Sequence, residues 1–174
     1  MLKQISTSLI LLLVLASSLN GAQGREWVKV APLGGGFSVL MPAKPEESVQ
    51  PGDTITIHAF SVTTDNSLYF VAFGDYSPAT HFKLDEELVA NRDNFLKGVN
   101  AKLTTSRTII TDGRSGLDFT GESDQASFKS REYISGTRFH QIVVAMFKGK
   151  DDTENSNKFF ASFEFTGSET RPKP

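Results

Sequence analysis

Ala126 to Phe147, ASFKSREYISGTRFHQIVVAMF, is the stretch whose reading decides the fold. Two runs suited to strands flank Ser135-Gly136, a pair able to take the positive φ angles of a tight reversal, so the stretch predicts a long β-hairpin. In its second arm one face carries Phe139, Gln141, Val143, Ala145 and Phe147. The other carries His140, Ile142, Val144 and Met146. A strand apolar on both sides by its middle belongs inside a sheet. Arg131, Glu132, Arg138 and His140, close to the reversal, are expected to be more exposed than Val143 to Met146. That turn end is the part of the hairpin expected to meet a partner.

Working back from the hairpin, Lys102 to Thr111 is a β-branched strand, and Asp112-Gly113 turns it into Ser115 to Thr120, where Leu117 and Phe119 alternate. Leu84 to about Val99 predicts the main helix. Leu84, Leu88, Phe95 and Val99 fall at helical spacing, and Val89 and Leu96 widen the stripe. Asp85, Glu86 and Glu87 suit its positive N-terminal end, and Asp93 with Lys97 forms an i, i+4 pair. Leu68 to Phe73 is apolar without a break, as a central strand would be, and Gly74 to Phe82 is a loop. In Thr54 to Thr63 the apolar set switches face after Ala59, which means burial on both faces or a bulge. Glu26 to Ala31 and Phe37 to Met41 are short strands around Pro32-Leu33-Gly34-Gly35-Gly36, with Trp27 and Phe37 as core residues, and Ala43 to Gly52 is a polar loop. Beyond the hairpin, a polar loop from Gly149 to Asn157 leads to a short helix containing Phe159 and Phe160, then to a strand at Phe163 to Phe165.

The first 22 residues read as a secretory signal peptide. Lys3 supplies the positive start, Leu9 to Ala16 the apolar core, and Asn20-Gly21-Ala22 a small-residue exit, with Ala22 as its last residue or Gly24 as the alternative. A membrane anchor is the rival reading, but the apolar run is short of the roughly 18 to 20 residues that span a bilayer. Residues 23–166 then form a single domain, and 167–174 a flexible tail. With Lys3 gone, 17 basic residues face 20 acidic ones, a formal charge of −3. No basic stripe exists, so no nucleic-acid partner is expected. The chain has no cysteine, which removes disulfides, thiolate chemistry and a lipidated anchor, and leaves packing of its 14 phenylalanines to hold the fold.

Residues able to carry chemistry are scattered. His58, His81 and His140 show no metal-ligand spacing. His58 and His140 read as half-buried strand residues, and His81 lies in a loop near Asp75 and Asp85, a weak cation site at most. Gly113-Arg114-Ser115-Gly116-Leu117 approaches a nucleophile elbow, yet its fifth residue is leucine and its turn joins two strands, so Ser115 reads as a hairpin residue. Asp118, Glu122, Asp124 and Glu132 are close in sequence and would suit paired-carboxylate hydrolysis, although strand-borne acids on a solvent face are ordinary. Asp151, Asp152 and Glu154 lack the ligand spacing of a calcium loop. The glycine triplet opens a strand, whereas phosphate cradles of that kind open a helix. No catalytic residue, cofactor site or metal site is therefore expected, with His81, Asp75, Asp151 and Asp152 as the weak metal candidates.

In order, the chain presents Trp27, GGFSVLMPAKP at 35–45, a Phe-rich central strand, one long helix, GRSGLDF at 113–119, REYISGTRFHQIVVA at 131–145 and FFASFEF at 159–165. This order resembles the PsbP-like superfamily, which includes the DcrB periplasmic proteins, and in particular its small secreted bacterial members. The resemblance implies an α+β fold, a central, mainly antiparallel sheet flanked by helices in an α/β/α sandwich. It implies no reaction. Relatives act largely as accessory, scaffold or partner-binding proteins, and the photosynthetic ones assist an oxygen-evolving complex at a membrane. The expectation is a non-enzymatic exported domain, periplasmic or extracellular, that binds another protein or an envelope component through a sheet face or through the rims at Asp75 to Phe82 and Asp151 to Asn157. The alternative is a small-molecule or metal-ion carrier in the periplasm.

Overall fold

A computed structural model describes residues 26–78 and 80–167. The expected signal peptide and, apart from Gly167, the expected tail lie outside the described residues. Seven strands build the main sheet: β3 (Glu46–Gln50), β4 (Ile55–Thr63), β5 (Ser67–Tyr76), β6 (Lys102–Thr111), β7 (Arg114–Glu122), β8 (Ala126–Ser135) and β9 (Arg138–Phe147). Their spatial order is β3-β4-β5-β9-β8-β7-β6, and every ladder is antiparallel. A smaller sheet, β1-β2-β10, is made of β1 (Val28–Val30), β2 (Phe37–Met41) and β10 (Glu164–Phe165). Helix α1 (Leu84–Gly98) carries the chain from β5 to β6, and α2 (Thr153–Ser162) leads into β10.

The β8–β9 hairpin forms as its sequence predicts, with the reversal one residue later, at Gly136-Thr137. Gly136 takes φ +58, the first central position of a two-residue turn that matches strand twist. β9 lies fourth of seven, and its Val143, Val144 and Ala145 are nearly inaccessible. β5 is its partner, with Leu68, Phe70 and Ala72 on one face and Tyr69, Val71 and Phe73 on the other. The change of face in β4 needs no bulge, because its register with β5 is continuous. Ile55, Ile57 and Ala59 are buried beneath α1, while Phe60 and Val62 are buried on the opposite side.

The two faces are covered differently. On the first, α1 lays Leu88, Phe95 and Leu96 over Leu117, Phe119, Phe128, Phe139 and Val143. Each such buried side chain contributes on the order of 2 kcal/mol by area. Val89, placed in the stripe by spacing, is 40% exposed. On the second face, Phe37, Val39 and Met41 of β2 and Phe159 and Phe160 of α2 cover Tyr69, Val71, Ile142 and Val144. Trp27 is partly buried against that cluster, edge-on to Tyr69.

The expected helix-flanked α/β/α sandwich is therefore overturned. Ten strands and two helices are described, and the second outer layer is a three-stranded sheet with one short helix beside it. The ten residues of α2 are too short to cover seven strands, so the apolar strand Phe37–Met41 forms that layer instead of joining the main sheet. Four smaller expectations also change. Glu46–Gln50, read as loop, is an edge strand; it is exposed almost throughout and has no apolar period to signal it. β5 runs to Tyr76, three residues into the expected loop. α2 begins at Thr153, four residues before the end of the expected loop. Asp93 pairs with Arg92 at 2.8 Å, in place of the expected Lys97 pair.

Candidate functional site

The residues singled out for chemistry are dispersed by strand geometry. Side chains alternate across a strand, so register assigns each to a face. Asp118 stands opposite Arg131 and Ile142, on the face that α2 covers, and its carboxylate accepts from Arg131 at 2.8 Å and Arg107 at 3.4 Å. Glu132 stands between Leu117 and Gln141, on the α1 face. The two acids point to opposite sides of the sheet and cannot act on one bond. Ser115 shares the α1 face with Leu117, whereas His140 shares the other with Ile142, so no serine–histidine couple forms.

The weak metal candidates are engaged elsewhere. Asp75 accepts from Arg138 Nε at 2.5 Å and Nη2 at 2.7 Å. Asp151 caps the start of α2 through Thr153, which holds its carboxyl below the ordinary value. Asp152 is buried and accepts from Tyr69 Oη and Asn155. His81 is exposed in its loop. Among the described residues no group of three or more His, Cys, Asp or Glu could hold a metal ion.

Glu132, expected on a solvent face, and His140, expected half-buried and more exposed than Val143 to Met146, are both buried. Glu132 has no accessible surface, and neither carboxylate oxygen has a hydrogen-bond partner among the described residues. Burial pushes its pKa well above the ordinary value; the Arg92 charge opposes this, and Asp93 and Glu87 reinforce it. His140 is 3% exposed, boxed by Phe37, Phe163 and Phe165. Its Nε2 lies 2.8 Å from the Gly35 carbonyl, which fixes the Nε2–H tautomer, while Nδ1 has no partner among the described residues. Burial lowers its pKa to about 4, against the pull of that hydrogen bond. The reversal end of the hairpin is thus roofed by α1 on one side and by the glycine turn on the other, a cover that local composition could not reveal.

What the structure does assemble is a groove of about 430 Å³ on the second face. β1 and the turn after it form one wall, Pro45 and Glu47 the other, and His58, Phe60 and Phe73 the floor. His58 and Phe73 are direct cross-strand neighbours, stacked at 4.9 Å and 12°, and Phe60 lies parallel to Phe73 within 9° at 6.5 Å. Arg138 closes the row over Phe73 at 5.3 Å. The turn is held from below, as Arg138 donates to the Gly34 carbonyl at 2.5 Å and His140 to that of Gly35. Gly34 and Gly36 take φ +75 and +71, a conformation that side chains rarely adopt. At its tip Leu33 is fully exposed, with Val28 also lining the groove. Val49 is 59% exposed opposite His58.

Sequence reading missed this groove because its parts come from separate segments. The only local signals were His58 and Phe60 at alternate positions and an unshielded leucine in a glycine turn. Of the expected rims, Asp75 borders the turn through Arg138, and Thr153, Ser156 and Asn157 border a second groove of about 310 Å³ with Lys129 and Met146. Between α1 and the sheet, a cavity of only about 20 Å³ lies among Tyr76, Asn91, Asn94 and Gln141, room for a single water. No helix among the described residues is long and apolar enough to cross a membrane.

No protein-family model matches the chain, and no curated protein matches it in sequence. Among solved structures, the solution structure of cyanobacterial PsbP (CyanoP) from Synechocystis sp. PCC 6803 is similar over 86% of this chain and 98% of its own, with a TM-score of 0.56 at 11% identity. A crystal structure from Bacteroides thetaiotaomicron VPI-5482 is similar over 84% of this chain and 50% of its own, with a TM-score of 0.40 at 13% identity. The fold is PsbP-like.

Proposed function

We propose that this chain is a non-enzymatic, exported accessory domain, a small secreted bacterial member of the PsbP-like and DcrB-like group, that binds another protein or an envelope component. The observation that carries the reading is the groove, an aromatic floor walled in part by two exposed large apolar residues, Val28 and Leu33, with exposed Val49 paired to His58 on the neighbouring edge strand. A leucine held fully in water on a rigid turn contributes nothing to the fold's own core. It does suit a contact made only in a complex. Export is inferred from the leader pattern of residues 1–22. The test is a photo-reactive side chain placed at Leu33 and, as a control on the far edge of the sheet, at Thr108. A discrete adduct in native envelope from position 33 and none from 108 is expected. No adduct, or the same adducts from both, sinks the reading.

The alternative, a small-molecule or metal-ion carrier, is favoured by the groove's volume, which falls within the ordinary range for ligand pockets. Titration calorimetry with calcium, zinc and manganese separates the metal version. Absence of heat at high ion concentration removes it.

A further inference from the structure

We infer that the groove takes an extended, uncharged peptide segment that adds as a fourth strand to the free edge of β1. The inference rests on the partner-binding reading above and specifies the chemistry of the contact. Among the described residues β1 is the edge of the small sheet, pairing with β2 on one side only, and Val28, Lys29, Val30 and Ala31 line the groove on the other. Alternate residues of a strand aim their N–H and C=O to opposite edges, so this wall offers main-chain donors and acceptors. Here the polar groups of one wall belong to a backbone, and backbone is what another strand recognises.

The side chains around that edge define the segment. Leu33 and Val28 stand in water at the rim of the row His58, Phe73, Phe60, and exposed Val49 pairs with His58 beside it. Residues at alternate positions of an added strand point the same way, so one apolar or aromatic set would rest over this row. Lys29 and Glu47 stand on opposite walls, one charge of each sign, and a segment rich in either sign gains nothing. The wall from Val28 to Ala31 accommodates about four residues at strand rise. The frame is already set before binding, since Arg138 and His140 hold the carbonyls of Gly34 and Gly35, and little ordering cost remains.

The probe is a capped five-residue peptide, acetyl-Thr-Phe-Thr-Val-Thr-amide, titrated into the isotope-labelled chain. The expected result is saturable shifts of the Val28 to Ala31 amides with slowed hydrogen exchange there. Methylating alternate backbone nitrogens of the peptide should weaken binding at least tenfold. Leu33→Asp, which alters a fully exposed side chain, should also weaken it at least tenfold with an unchanged melt. Equal affinity of the methylated peptide overturns strand addition and leaves a side-chain pocket for a small molecule. No saturable shift with any capped peptide overturns it too. If adducts at position 33 persist in that case, the partner-binding reading stands and only the strand-addition mode falls.

Discussion

The two faces of the main sheet hold opposite kinds of buried charge-bearing group. Beneath α1 an acid, Glu132, is sealed with no hydrogen bond to its carboxylate among the described residues; beneath the glycine turn a base, His140, is sealed with one. Both are kept neutral, and neutrality costs stability in opposite directions of pH. For Glu132 the folded pKa is raised above 4.5, so its full stability is present below that value and is lost as pH climbs toward the raised one. For His140 the folded pKa is lowered from 6.5 to about 4, so stability is full above 6.5 and is lost as pH falls through about 4. The contrast shows that cover alone does not define a core. The helix-covered face keeps an unsatisfied group, and the sheet-covered face uses its buried group to position a surface turn.

The harshest way to break the comparison is to place a charge at its centre. Val143→Asp, toward α1, and Val144→Asp, toward the small sheet, should each cost at least about 4 kcal/mol in denaturant unfolding. A variant that melts like the parent would mean its face is no core. Next in size, the parent should lose about 3 kcal/mol between pH 6.5 and 4 through His140. His140→Gln should remove that part of the acid slope, and an unchanged slope refutes the buried neutral histidine. Glu132→Gln should stabilise the chain at pH 7, with the gain growing as pH rises from about 4.5. A loss at neutral pH would show that the carboxylate has a partner. Smallest in stability is Leu33→Asp, expected within about 0.5 kcal/mol of the parent because the side chain is fully exposed. A larger loss would make Leu33 part of the fold.

Much of this organisation was legible from residues alone. Leu68 to Phe73 and Phe139 to Ala145 are apolar on both faces, which only interior strands sustain, and α1 announced itself through Leu88, Phe95 and Leu96. Asp112-Gly113, both at positive φ, closes its hairpin where expected. β3 was hidden because an exposed edge strand such as Glu46–Gln50 buries no face and so carries no period. Glu132 and His140 were misplaced because residue type predicts exposure, whereas their burial comes from α1 and from the turn at Gly34-Gly35, each distant in sequence. The groove was out of reach for the same reason; β1, β3, β4 and β5 each contribute one piece to it.

The connectivity of the main sheet has a consequence for how the chain can be divided. Residues 46–76 and 102–147 are two meanders of neighbouring strands, and the only ladder between them is β5 with β9, nine residue pairs from Ser67↔Met146 to Asp75↔Arg138. Closing that seam in one chain spans about 70 residues and costs roughly 4 kcal/mol of loop entropy, whereas within the second meander β6–β7 and β8–β9 close through two-residue turns and β7–β8 through Ser123 to Gln125. A break between Tyr76 and Leu84 would make the seam a junction between two separate polypeptides. Co-expressed halves that assemble and melt as one unit are the expected outcome, and halves that stay apart would show that the tether, and not the ladder, holds the meanders together.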